Sequence, residues 1–272
     1  MGPISFYKMT GSGNDFVIID NRDGTIDVNR FRALIPRICR RGLSVGADGL
    51  ILIENSTQAH FRWQFFNADG SEPEMCGNGG RCVARLAHLL GIAPAELTFE
   101  TAVGILKARV NGPVVKLQLP PPSAIKLGLS LQISDQTFLM DSINTGVPHA
   151  VIRVDDLETV DVVGWGKEIR FHQSFQPAGT NVDFISVENG AINIRTYERG
   201  VEDETLACGT GAVAAALVGH LRGLVTSPTH VITRSGETLT IHHSGGNEIE
   251  EVYLEGKVTV VYEGQLWEEA IS

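Results

Sequence analysis

The 272-residue chain lacks a long apolar run, lacks an excess of basic residues and has only four cysteines. No uncharged apolar segment approaches the roughly 20 residues of a helical membrane span, so a membrane-embedded helical protein is excluded. A net charge of −10 argues against a nucleic-acid partner, whose affinity rests on phosphate neutralisation. The densest basic run, Arg37-Ile38-Cys39-Arg40-Arg41, is short and reads as a solvated helix end. Cys76 and Cys82 are spaced too widely for a zinc knuckle, and no second pair completes a ligand set, so no metal is expected. The first residues carry no basic region followed by an apolar stretch, so no signal peptide is expected either, and the compartment read is the cytoplasm.

What remains is a chain rich enough in hydrophobic residues, 43%, to bury real cores, with one feature that stands out. The segment Cys76-Gly77-Asn78-Gly79-Gly80-Arg81-Cys82-Val83-Ala84, continuing to His88-Leu89-Leu90-Gly91, recurs as Cys208-Gly209-Thr210-Gly211-Ala212-Val213-Ala214-Ala215-Ala216, continuing to His220-Leu221-Arg222-Gly223. Upstream the register holds: Glu72 falls opposite Glu204, and Asn67 falls opposite Arg199. A unit duplicated with its cysteine in register points to a pseudo-symmetric site built from two halves.

The strongest composition break is Pro120-Pro121-Pro122-Ser123, read as an extended linker and domain boundary. On either side lie short alternating or β-branched runs, among them 15–20, 50–54, 61–66, 97–101, 105–110 and 114–119 before it. Runs 137–142, 150–154, 182–187, 191–197, 230–233, 238–242, 250–255 and 257–262 follow it. Helical patterning is clearest over 83–90 and 212–221, each stopped by a glycine and each carrying little charge, so strands are expected to wrap both. Weaker helices are read at 29–41, interrupted by Pro36, and at 162–172. The fold class is α+β: two pseudo-symmetric strand-rich domains, each wrapped around a central helix.

A helix opening at Cys-Gly-x-Gly sets a thiol beside unpaired backbone N–H groups, which a bound carboxylate could approach closely past the glycines. The helix dipole, about 0.3–1 kcal/mol and at most ~2, could lower a thiol pKa by roughly one unit at about 1.4 kcal/mol per unit. One thiolate and one thiol on opposite faces of a carbon acid would suffice for stereoinversion, with the helix N-termini stabilising an enolate-like transition state and no cofactor required. The alternative is that both cysteines are buried small hydrophobes and the glycines merely turn the chain; duplication in register favours the chemistry. Cys39 and Cys82, lacking the glycine context, are assigned to packing.

The polar segments complete the pattern: Lys8-Met9-Thr10-Gly11-Ser12-Gly13-Asn14-Asp15-Phe16, Phe66-Asn67-Ala68-Asp69-Gly70-Ser71-Glu72, Glu74 to Gly79, Gly146-Val147-Pro148-His149, Gly179-Thr180-Asn181-Val182, and Tyr197-Glu198-Arg199-Gly200 before Ala207-Cys208. Taken together and in this order, they resemble the diaminopimelate epimerase family, from about Lys8 to beyond Gly223. The resemblance implies interconversion of LL- and meso-diaminopimelate, a step toward lysine and peptidoglycan precursors, without pyridoxal phosphate or metal. It implies that Cys76 and Cys208 are the acid/base pair and that backbone groups of Gly77, Asn78, Gly209 and Thr210 surround the reacting carboxylate. It further implies that Asn14, Asn67, Asn181, Glu198 and Arg199 hold the amino and carboxylate groups of the substrate. That fits their chemistry: Arg199 can pair bidentately with a carboxylate, and Glu198 can accept from an ammonium.

The resemblance also implies that His149 and Glu198 tune the thiols, although His149 after Pro148 could instead cap a strand. Singly, each asparagine could be a turn residue. The proline run divides the chain into halves 1–122 and 123–262, the resemblance implies that a final strand at about 263–272 returns to the first, and a homodimer is left open. Val147 stands where many members have Asn and cannot hydrogen-bond through its side chain; Gly49 stands where some have Gln. The 200–205 loop is one residue longer than in some relatives. Two other readings stay open: a racemase of another amino acid on the same fold, and a non-catalytic amino-acid-binding protein. Glu198 with Arg199 argues against an apolar distal end, since both charges would be left unpaired.

Overall fold

The computed structural model describes residues 3–73, 75–133, 136–246 and 248–271; Glu74 lies outside them. The chain divides into two compact units, 1–117 with 256–272, and 118–255.

In the first unit the strands are β1 (Ile4–Gly11), β2 (Asn14–Asp20), β3 (Gly49–Glu54), β4 (Phe61–Asn67), β5 (Glu96–Thr101), β6 (Gly104–Asn111) and β7 (Val114–Leu119). The alternation that predicts β6 is realised: Leu106, Ala108 and Val110 point inward between exposed Lys107 and Arg109. Neighbours in sequence pair in order, antiparallel except for parallel β2–β3 and β4–β5. The chain's last strand, Thr259–Leu266, runs antiparallel along β1, and residues 268–271 form a helical turn, so the returning strand lies earlier than 263–272.

The second unit contains β8 (Ser123–Ile133), β9 (Gln136–Asn144), β10 (Pro148–Arg153), β11 (Asn181–Glu188), β12 (Ala191–Glu198), β13 (Asp203–Thr205), β14 (Thr229–Ile232), β15 (Thr238–His243) and β16 (Val252–Lys257). The order β8–β9–β10–β11–β12–β14–β15–β16 is antiparallel except for parallel β10–β11 and β12–β14. This is the order and polarity of the first unit starting from its returning strand. The duplication seen in the cysteine segments therefore extends to the whole topology.

Each unit has one core helix, Gly77–Leu89 and Gly209–Leu221. Both cysteines occupy the N-cap in extended conformation, with φ, ψ of −143°, 110° at Cys76 and −123°, 113° at Cys208. Both helices close alike: Gly91 and Gly223 take φ of +71° and +68°. The N–H of Ile92 reaches back to Ala87 and that of Leu224 to Gly219. The helices open at the Cys-Gly-x-Gly segments, as expected of that motif, and so extend N-terminally beyond the apolar patterning at 83 and 212. Glycine costs roughly 1 kcal/mol in a helix interior, but a Cβ at Gly80 would stand 2.7 Å from Leu117 Cδ2, so close packing requires its absence. Nor is the first helix free of charge. Arg81 is fully buried in it, donating to Asn78 Oδ1 at 2.6 Å and Ser12 Oγ at 3.0 Å.

Three other segments gain detail in the structure. Residues 8–13 belong to β1 and a tight hairpin, with Ser12 and Gly13 both at positive φ, which joins β1 to β2. The stretch after the prolines is not linker but β8, whose exposed first residues and register shifts around Gly128 hide the alternation. The 29–41 segment breaks into short helical turns with Pro36 in the first turn of the last, whereas Val162–Arg170 is one helix.

Candidate active site

In the first unit the site begins with Cys76, whose Sγ accepts the Gly79 N–H at 3.3 Å and so caps its own helix. Asn78, on that first turn, donates through its side chain to Asn14 Oδ1 at 2.8 Å, and Asn14 donates to Asp48 Oδ2 at 3.1 Å. The chain Arg81–Asn78–Asn14–Asp48 thus fixes the carboxamides that β2 and the helix present beside the thiol. Asp48 is held in turn by the Asp15 N–H and by Arg41. Asn67 ends β4 opposite Gly49, and its carboxamide donates to Ser71 Oγ at 3.0 Å across the Asn67–Ser71 turn.

In the second unit Asn181 opens β11 and is nearly buried. Its Nδ2 donates to the Pro148 carbonyl at 3.0 Å and its Oδ1 accepts the Arg199 N–H at 2.9 Å. Arg199 follows the end of β12, where Glu198 lies, and donates from Nη1 to the Ala178 carbonyl at 3.0 Å. Asn181 therefore ties the Pro148 carbonyl to the Arg199 backbone. Val147 contributes its carbonyl, which accepts the Thr145 N–H. Glu202, in the 200–205 loop, pairs with Arg170.

Cys208 is 8% exposed, and its Sγ lies 3.4 Å from Thr210 Oγ1. His149, with no exposed surface, reaches the same hydroxyl with Nε2 at 3.0 Å and meets Asp183 Oδ2 with Nδ1 at 2.7 Å. Thr196 donates to the other oxygen of Asp183 at 2.7 Å. Asp183 went unread in the sequence, although its signal is there: a carboxylate in the otherwise apolar run Val182–Ile185, wholly buried in a central strand. Asp48 and Arg81 were missed because each acts through an asparagine rather than at the site.

The units match in backbone and differ in charge. β2 and β3 pair Phe16 with Gly49 and Ile18 with Ile51; β10 and β11 pair His149 with Asn181 and Val151 with Asp183. A Cβ on Gly79 would face Ile51 and Phe16, whereas one on Gly211 would lie 2.5 Å from Asp183 Oδ1. Phe16 thus corresponds to His149, and Ile51 to Asp183. The first helix start has apolar neighbours and the buried cation Arg81; the second has a buried carboxylate and imidazole.

That difference overrides the expectation of a thiol acidified by its helix. Burial pushes the Cys208 thiol well above its usual range, and the carboxylates of Glu198 and Asp183 push the same way; the Thr210 hydroxyl opposes them without prevailing. Cys39 and Cys82, both buried in packing roles, are pushed up to about 12 chiefly by burial. All four cysteines are free thiols. Among the described residues no cluster of three or more His, Cys, Asp or Glu could hold a metal ion, and no helix is long and apolar enough to cross a membrane.

A duplicated strand-rich unit with a core helix is a fold shared with solved structures of epimerases and related proteins. A hydroxyproline epimerase from Agrobacterium vitis superposes with a TM-score of 0.73, covering 97% of this chain and 92% of that one at 16% identity. A phenazine biosynthesis protein of the PhzF family from Bacillus anthracis gives 0.72, covering 98% and 100%, also at 16% identity. Within that class the chain belongs to the diaminopimelate epimerase family, whose pattern it matches over residues 6–119 and 142–261. It is 48% identical to the diaminopimelate epimerase of Aquifex aeolicus, covering 99% of this chain and all of the other. With that of Chlorobaculum tepidum it shares 45% identity, over 95% and 99% of the two chains.

Proposed function

We propose that the protein interconverts LL- and meso-diaminopimelate by proton transfer between Cys76 and Cys208, in the cytoplasm, on the route to lysine and peptidoglycan precursors. The observation that carries the reading, within this family, is the pair of cysteine N-caps with the same backbone geometry on duplicated helices. Cys76 serves as the resting thiolate, supported by the Gly79 N–H on its sulfur and by the buried Arg81 one turn on. Cys208 serves as the resting thiol, supported by its burial beside Glu198 and Asp183.

In the forward step the α-carbon's C–H bond breaks and its proton joins Cys76. The Cys208 S–H then breaks, and its proton joins the opposite face of the carbon. The reverse reaction exchanges the roles. Backbone N–H groups of Gly77, Asn78, Gly209 and Thr210, at the two helix starts, stabilise the charge that develops on the adjacent carboxylate. Asn14, Asn67 and Asn181 supply amide donors and acceptors, while Arg199 and Glu198 take the charged groups at the non-reacting end. The opposite charges of Arg199 and Glu198 match a carboxylate and an ammonium, which favours a diamino dicarboxylate over a substrate with an apolar distal end.

The test is deuterium uptake at one α-carbon of diaminopimelate in heavy water. Wild type takes up deuterium, and Cys76→Ala and Cys208→Ala each lower exchange by at least about a thousandfold, within the range of general acid–base contributions. Near-normal turnover in either single variant would refute two-base catalysis.

A further inference from the structure

The second unit carries a file of groups that leads from its thiol into the protein: Cys208 Sγ, Thr210 Oγ1, His149 Nε2 and Nδ1, and Asp183 Oδ2, at successive separations of 3.4, 3.0 and 2.7 Å. We infer that Thr210, His149 and Asp183 form a proton relay that loads and unloads Cys208, with Asp183 as the positioning residue. The inference rests on the acid–base role proposed for Cys208, but it concerns a distinct question: where that sulfur's proton goes.

The direction of each hydrogen bond follows from the donors and acceptors present. An ionised Asp183 can only accept, and it already takes the Thr196 hydroxyl on Oδ1, so His149 donates to it from Nδ1–H. The neutral ring then has an acceptor at Nε2, the Thr210 hydroxyl donates to it, and the remaining lone pairs of Thr210 Oγ1 face the Cys208 S–H. In transfer the S–H bond breaks as a new O–H bond forms at Thr210, while the hydroxyl's own proton moves to Nε2. The products are a thiolate and an imidazolium, with Asp183 unchanged. Every hydrogen bond along the file reverses: Nε2–H donates to Oγ1, and the hydroxyl donates to the thiolate, which stabilises it. The reverse passage reprotonates Cys208 after a turnover that leaves it as thiolate.

Several features of the fold are accounted for by this arrangement. Gly211 leaves room for the Asp183 carboxylate beneath the first turn of the helix, where a Cβ would collide with it. The Thr210 carbonyl is pinned by Thr145 Oγ1 at 3.0 Å, which holds that residue's side chain in place between sulfur and ring. In the first unit Phe16 and Ile51 stand at the positions of His149 and Asp183.

A relay and a purely electrostatic carboxylate predict opposite outcomes. Removing the charge of Asp183 would ease ionisation of Cys208 if the residue acted only by repulsion. In the relay it would destabilise the imidazolium and make the thiolate scarcer. The experiment measures iodoacetamide alkylation of Cys208 at neutral pH, read by peptide mass spectrometry, in wild type, Asp183→Asn, Thr210→Val and Thr210→Ser.

We expect Asp183→Asn and Thr210→Val each to slow alkylation about tenfold, the equivalent of one pKa unit, and Thr210→Ser to restore the wild-type rate. Faster alkylation in Asp183→Asn, or equal rates in the two Thr210 variants, would overturn the relay. Nitrogen-15 NMR of the wild-type protein adds a measurement that needs no variant: the relay requires the Nδ1–H tautomer of His149, and the Nε2–H tautomer would refute it. None of these readouts depends on substrate turnover, so failure of the relay is distinct from failure of the epimerase reading in the heavy-water assay.

Discussion

At the scale of single residues, the charged groups around Asp15 show how a site's support can be tested apart from its chemistry. Burial alone would raise the Asp15 carboxyl, but hydrogen bonds and charges from Arg41 and Lys8 outweigh it and hold it at about 2, against a usual 3.8. Lys8 is nearly buried and also donates to the Gly46 carbonyl, so the ammonium is fixed on two sides. A carboxyl depressed in the folded state contributes stability that is complete above its unfolded value and is lost as pH falls toward the folded one. The window is therefore about pH 4 down to 2, and the loss is about 2 kcal/mol. Urea unfolding followed across that window should fall more steeply for wild type than for Asp15→Asn, with the variant already weaker at pH 5. At this same scale the sequence was legible where a motif fixes local structure. Cys76, Cys208 and Asn78 lie at the helix starts that their glycines announce, whereas Asp183, Asp48 and Arg81 act through a neighbour. Only the folded chain shows that neighbour: Asp183 meets His149 across two strands 34 residues apart in sequence.

At the scale of elements, the two core helices are one design used twice, and their C-terminal glycines should respond alike. Gly91 and Gly223 hold positive φ, and nothing lies within 4 Å of a Cβ built at either. Substitution to Ala therefore costs backbone strain without a clash, about 1 kcal/mol at each site, read as equal decreases in unfolding free energy for Gly91→Ala and Gly223→Ala. Helix ends were legible because a glycine stop is a local signal, and so were strands such as β6 that alternate cleanly. The helix starts were legible from the Cys-Gly-x-Gly motif but not from apolar patterning, because glycine is ordinarily a helix breaker. Here it is selected by close approach of Leu117 in one unit and Asp183 in the other. β8 was illegible for the opposite reason: a strand exposed along its first half and bulged at Gly128 has no burial period to read.

At the scale of the molecule, the repeat visible in sixteen residues proved to be the repeat of a whole strand order, with residue identity concentrated in the cysteine and glycine segment. Along the strands, which need only be apolar, matching residues are scattered, so the common plan shows in strand order rather than in residue identity. The consequence for the thiols is a ranking. Cys76 is partly exposed, Cys208 is buried beside carboxylates, and Cys39 and Cys82 are sealed in the cores. Brief treatment with iodoacetamide should therefore label Cys76 first, by at least about tenfold over Cys208, with Cys39 and Cys82 unlabelled until the chain unfolds; peptide mapping gives the order.

Because the Cys76 sulfur also caps its helix through the Gly79 N–H, an electrophile that captures this atom would weaken the acceptor on which the first turn relies. Covalent inhibition and a lowered melting temperature would then arrive together, from a single adduct.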